Sequence, residues 1–198
     1  MKKNLFILAF LSLCFSSVSL AQSNMFSFNY AISLPTGNTS DYIDQASGRG
    51  FVFEYQKFIN RNIALGLELG HMTLYKREAN KVYTEGTASL SGVQYRYQYE
   101  YPILVTANYF VVTGGPIRPY IGLGAGTVAH ERKIDMGIFT SQDTHWQFAI
   151  RPEAGLLIQP TSQSLGFKIG AKYYSSFESK DLAGQSHLGF NIGVVFIN

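Results

Sequence analysis

At 198 residues the chain has room for one domain or two small ones, and 16 Lys and Arg against 13 Asp and Glu give no basic surplus of the kind that nucleic-acid binding uses. A single cysteine, Cys14, excludes a disulfide framework and a thiolate metal cluster. The 15 Phe, 13 Tyr and 19 Gly suit an all-β chain with many short turns.

The first element is not part of a fold. Residues 1–21, "MKKNLFILAFLSLCFSSVSLA", set Lys2 and Lys3 ahead of an apolar run that ends on Ser19-Leu20-Ala21, the small residues of a cleavage site. This is the pattern of a secretory signal peptide. An uncleaved anchor is the alternative, and the cleavage site argues against it. Lipid attachment at Cys14 would need a small residue before it, where Leu13 stands. Removal of 1–21 leaves one domain, 22–198, with 14 basic and 13 acidic residues and no cysteine. No later apolar run reaches the ~18 residues of a membrane helix.

Eight alternating segments follow, at about 25–35, 50–58, 63–75, 93–111, 119–130, 145–158, 165–174 and 187–197. Long polar connections such as "KREANKVYTEGTASLSG" follow the odd segments, and short turns such as "INRN" follow the even ones. Long loops at one end and tight turns at the other are the arrangement of a transmembrane β-barrel. One parity is apolar throughout: Phe26, Phe28, Tyr30 and Ile32 in the first segment, Leu65, Leu67 and Leu69 in the third. The opposite parity is small, polar or charged. A lipocalin-type barrel would put the apolar parity inside, and a soluble sandwich would carry a solvated lysine- and glutamate-rich face, not a glycine-rich one. The reading is an eight-stranded antiparallel up-and-down transmembrane barrel.

On this register Glu54, Glu68, Arg96, Glu100, Arg151, Glu153, Lys168 and Lys172 point inward, four acidic and four basic. An eight-stranded barrel is just wide enough for side chains to fill, and inward glycines such as Gly122 and Gly124 make room for long ones. Unpaired charge in so confined a space is costly, so balanced signs predict a paired network acting as a plug. A narrow ion path is the alternative. Tyr99, Tyr101, Tyr109, Trp146 and Phe196 are candidate interface aromatics. Pro102 lies mid-strand without an N–H, which predicts an irregularity in pairing at Tyr101–Ile103.

Candidate chemistry is sparse. His130, His145 and His187 point inward at the long-loop end and are weak candidates for a divalent metal, the alternative being ordinary rim residues. "GLGAGT" at 122–127 lacks the spacing and the following helix of a nucleotide loop. No G-x-S-x-G occurs, and Ser186 with His187 would point to opposite faces of a strand. No cofactor and no enzymatic activity are expected.

The run "YQYEYPILVTANYFV…IRPYIGLGAG", with Glu100, Pro102, Leu104, Tyr109 and Phe110 leading into Pro119, Tyr120, Gly124 and Gly126, resembles the small outer-membrane β-barrel proteins of Gram-negative bacteria. More narrowly it looks like the β-barrel-domain porin family common in Bacteroidota. The resemblance implies an outer-membrane location and outer-membrane lipid as surroundings. It also implies barrel-assembly and periplasmic chaperone machinery as partners in biogenesis. Fold does not fix activity. The expected role is structural or surface-interacting, through the long loops and with an unknown extracellular ligand. The alternatives are a narrow, porin-like channel for ions or small solutes and, third, a lipid-modifying enzyme.

Overall fold

The computed structural model describes residues 23–85, 88–160 and 164–198. The expected signal peptide, 1–21, lies outside the described residues. Eight strands close into one antiparallel barrel in sequence order: β1 (Asn24–Thr36), β2 (Ser47–Phe58), β3 (Ile63–Glu85), β4 (Ala88–Phe110), β5 (Ile117–Met136), β6 (Phe139–Ile158), β7 (Leu165–Ser176) and β8 (Gln185–Ile197). Closure comes from β1 pairing with β8, with the Asn24 N–H donating to the Asn198 carbonyl at 2.7 Å and Asn198 returning the bond at 2.9 Å.

Alternation sets the two faces. Phe28, Leu67, Val105, Leu123, Phe148 and Ile192 lie on the outer wall, and Val105 is 63% exposed. Their strand neighbours Asn29, Glu68, Thr106 and Asn191 are buried inside. A continuous apolar belt around a polar interior is the inverse of a water-soluble barrel, and its surroundings are hydrocarbon.

Two connections differ from expectation. The sequence pattern reads residues 76–92 and 131–144 as loops. Instead β3 and β4 stay paired up to Glu85 opposite Ala88, with one shift in register between Glu78 and Lys81, and β5 and β6 up to Met136 opposite Phe139. Above the belt both faces of a hairpin meet water. The apolar parity that reveals a strand lower down disappears there, although the ladder continues. The other two long connections are irregular. One contains the five-residue helix α1 (Asn38–Tyr42), and both fold over the long-loop mouth.

Pro102 interrupts one ladder only. Pairing with β5 runs unbroken from Tyr101 opposite Ala129 to Ile103 opposite Thr127. Pairing with β3 passes from Leu69–Ile103 to Met72–Glu100 without a partner bridge between them and without a shift in register. The ring packs over Gly70, where an added Cβ would lie 2.9 Å from the proline Cγ. No bulge is needed, because the missing N–H falls on the side where glycine lets the strands adjust. Pro152 leaves a matching gap between β6 and β7.

Candidate functional site

The lumen is built in layers. At the short-turn end Met25, Phe58, Ala64, Phe110, Tyr120, Leu157 and Val195 form an apolar floor. Phe110 packs between Phe58 and Tyr120, with ring centroids 5.2 and 5.5 Å away.

Above the floor lies an ion network. Glu54 on β2 receives both Lys168 and Lys172 from β7. Glu68 on β3 receives Lys172 at 2.7 Å, Arg151 of β6 at 2.9 Å and the Tyr174 hydroxyl at 2.8 Å. Arg151 also holds Glu153 at 2.5 Å. In the closed order β2 and β3 stand opposite β6 and β7, so the network crosses the full lumen. Three carboxylates balance three cations, and Glu68 and Arg151 are both 0% exposed. The room comes from β5. A Cβ on Gly122 would lie 2.7 Å from a Glu153 oxygen, and one on Gly124 would lie 3.1 Å from the Arg151 Nε. A thin apolar layer of Met72, Leu104, Val128, Ala149 and Tyr174 is the next cluster.

Towards the long-loop mouth Glu100 is held separately. The Nδ1 atoms of His187 and His130 stand 2.9 and 3.5 Å from its two oxygens, and the Gln98 amide donates at 2.8 Å. The His130 Nε2 meets the Ser176 hydroxyl at 3.1 Å. Ser176, His130 and Glu100 thus follow the order of a hydrolytic relay. Here the serine is buried and its carboxylate is shared with a second imidazole, so the cluster ties β4, β5, β7 and β8 together. Among the described residues no group of three or more His, Cys, Asp and Glu could hold a metal.

The mouth is covered. Tyr42 of α1 lies under the Arg132 guanidinium at 4.3 Å and near that of Arg96 at 5.3 Å. Burial pushes the Tyr42 phenol up, so the ring meets both guanidiniums neutral, as a cation–π partner. Arg132 also donates to Gln98 and Gln185, at 3.0 and 2.9 Å. Gln147 donates to the Leu182 carbonyl at 2.8 Å, pinning the connection after β7.

The chain is similar to Ail, the attachment invasion locus protein of Yersinia pestis, solved in complex with the heparin analogue sucrose octasulfate: 17% identity, TM-score 0.55, covering 90% of this chain and 100% of that one. It is similar to Neisserial surface protein A at 12% identity and TM-score 0.56, covering 91% and 99%. The outer membrane protein OprG of Pseudomonas aeruginosa matches at 12% identity and TM-score 0.53, covering 90% and 96%. The fold is that of the small eight-stranded outer-membrane barrels. No family model and no curated protein matches the chain. The narrower likeness to the Bacteroidota porin family therefore rests on the β4–β5 residues alone.

In an outer-membrane barrel the short turns are periplasmic and the covered mouth extracellular. Of the expected lumen charges, Glu54, Glu68, Arg151, Glu153, Lys168 and Lys172 meet in one network. Glu100 does not join it and pairs with histidines instead. Arg96 is the clear departure. It shares the inward parity but sits at the extracellular mouth, 24% exposed, bonded to Gln94 at 2.8 Å and 3.9 Å from Glu78. The extension of β4 above the belt carries it out of the closed lumen. Of the histidines, His130 and His187 converge on Glu100, whereas His145 stands half-buried opposite His130 in register. Ser186 bonds Thr36, on the face away from His187.

Tyr109, Trp146 and Phe196 face lipid, about half exposed, and Tyr101 and Tyr99 lie at the extracellular rim against His71, with centroids 5.0 and 6.1 Å away. The Tyr42 clamp escaped sequence reasoning. The only available signal was an aromatic inside an otherwise polar connection.

Proposed function

We propose that this outer-membrane barrel is a non-conducting, non-enzymatic surface protein. Its closed barrel serves as a rigid base for the β3–β4 and β5–β6 hairpins, which carry its interactions outside the cell. The single observation behind this reading is the ion network that crosses the lumen from β2 and β3 to β6 and β7, fully buried, with an apolar floor below and a covered mouth above. The likeness to Ail and to Neisserial surface protein A, whose names speak of attachment and of the surface, supports it. Export by the signal peptide and insertion by barrel-assembly machinery with periplasmic chaperones complete the reading.

A narrow channel is the second reading. It is favoured by the side-chain amides of Asn108 and Asn191, which face the lumen with no hydrogen-bond partner among the described residues. Planar bilayers separate the two. Folded protein should give no steady single-channel current; reproducible, ion-selective steps would establish the channel.

A further inference from the structure

The outer wall of the β3–β4 hairpin carries tyrosine where the belt below it carries Leu, Ile and Val. Tyr97 and Tyr99 lie parallel, 6.2 Å apart with planes 2° from each other. Tyr75 of β3 adds rings 5.1 Å from Tyr97 and 6.4 Å from Tyr95. The result is a half-buried strip of four rings with the Arg49 guanidinium 5.4 Å above Tyr75 and the Lys133 ammonium 5.9 Å above Tyr97.

Height decides what this strip meets. Tyr101 and His71 mark the rim of the belt. From Tyr101 up to Tyr95 is six residues, ~20 Å along the strand. At the usual tilt of about 40° this raises Tyr95 by ~15 Å, above any hydrocarbon. An interface anchor needs one ring at the boundary, whereas this strip climbs away from it. At that height beside a barrel in a bacterial outer membrane stand the sugars and phosphates of the outer-leaflet glycolipid.

We infer that Tyr75, Tyr95, Tyr97 and Tyr99, with Arg49 and Lys133, form a docking face for the phosphorylated saccharide headgroup of that glycolipid. Sugar rings offer flat C–H faces that lie against aromatic planes, and tyrosine adds a hydroxyl at the wet edge at little entropic cost. Arg49 is exposed, and its planar fork suits a phosphate. Of the two carboxylates on the same wall, Asp135 is charge-paired and Glu131, in register with Tyr99, is held by a neutral amide. Glu131 accepts from Gln142 at 2.8 Å, and Asp135 holds Lys133 and Thr140, each at 2.8 Å. Lys133 therefore flanks the strip as half of an ion pair, whereas Arg49, and Arg77 in register with Tyr95, are exposed cations on this wall.

The inference rests on the extracellular orientation of the hairpins proposed above, but not on the barrel being closed. The test uses the full folded barrel in phosphatidylcholine nanodiscs with or without purified lipopolysaccharide. Its heat-induced unfolding temperature should rise with the glycolipid. The Tyr97→Ala/Tyr99→Ala variant should lose most of that rise, while Tyr109→Ala at the periplasmic rim keeps it. Equal rises in all three proteins, no rise in any, or self-association through the strip in place of glycolipid binding would overturn the inference. Single-channel currents would defeat the closed-barrel reading and leave this one standing.

Discussion

Arg151→Met should destabilise the folded barrel by about 3–5 kcal/mol, because removing one partner of a buried charge set strands the others. Arg151 is fully buried and bridges Glu68 at 2.9 Å and Glu153 at 2.5 Å. Without it, three carboxylates face only Lys168 and Lys172. Water cannot relieve the excess, because the apolar floor and the Met72–Tyr174 layer bound the network on both sides. Adding Glu68→Gln restores neutrality, so the double variant should recover part of the loss. Reversible urea unfolding in phospholipid vesicles measures both. A single-variant cost below about 1 kcal/mol, the size of an exposed pair, would mean that the network is hydrated.

Phe110→Ala should cost about 3–5 kcal/mol, the range for deleting a buried aromatic ring. Phe110 is 1% exposed and wedged between Phe58 and Tyr120 in the periplasmic floor. The neighbouring Tyr109, which faces lipid, should tolerate the same truncation at a smaller cost in the same unfolding measurement. Phe110→Ala should not make the barrel conduct, since the ion network still closes the lumen above the cavity. A conducting Phe110→Ala barrel would mean that the floor alone is the seal.

What the sequence made legible follows from which solvent each face meets. Inside the bilayer, lipid demands an apolar outward parity, so Phe26, Leu67, Val105 and Ile192 show both the strand and its orientation. Above the belt, water meets both faces. The stretch around Lys76–Glu85 therefore reads as a loop although its backbone stays paired. Parity also says which charges are inside but not at what height. Arg96 and Glu100 share a face, yet only the stagger of the closed barrel separates the mouth from the lumen. Glu100 and His130 are register partners in the β4–β5 hairpin, but His187 comes from β8, and only closure brings it to them. Pro102 was visible as a defect, but which ladder it breaks depends on the side to which its nitrogen points, which the register fixes.

Side chains fill the lumen at the level of the ion network, and this filling is what closes the barrel. The most direct measurement is thiol labelling of Thr106→Cys, a position 1% exposed on the inner face of β4, in the chain without its first 21 residues and hence without other cysteines. A water-soluble methanethiosulfonate reagent should leave the folded variant unlabelled, label it fully in urea, and label Thr113→Cys in the exposed periplasmic turn in both states. Rapid labelling of Thr106→Cys in the folded barrel would contradict the account.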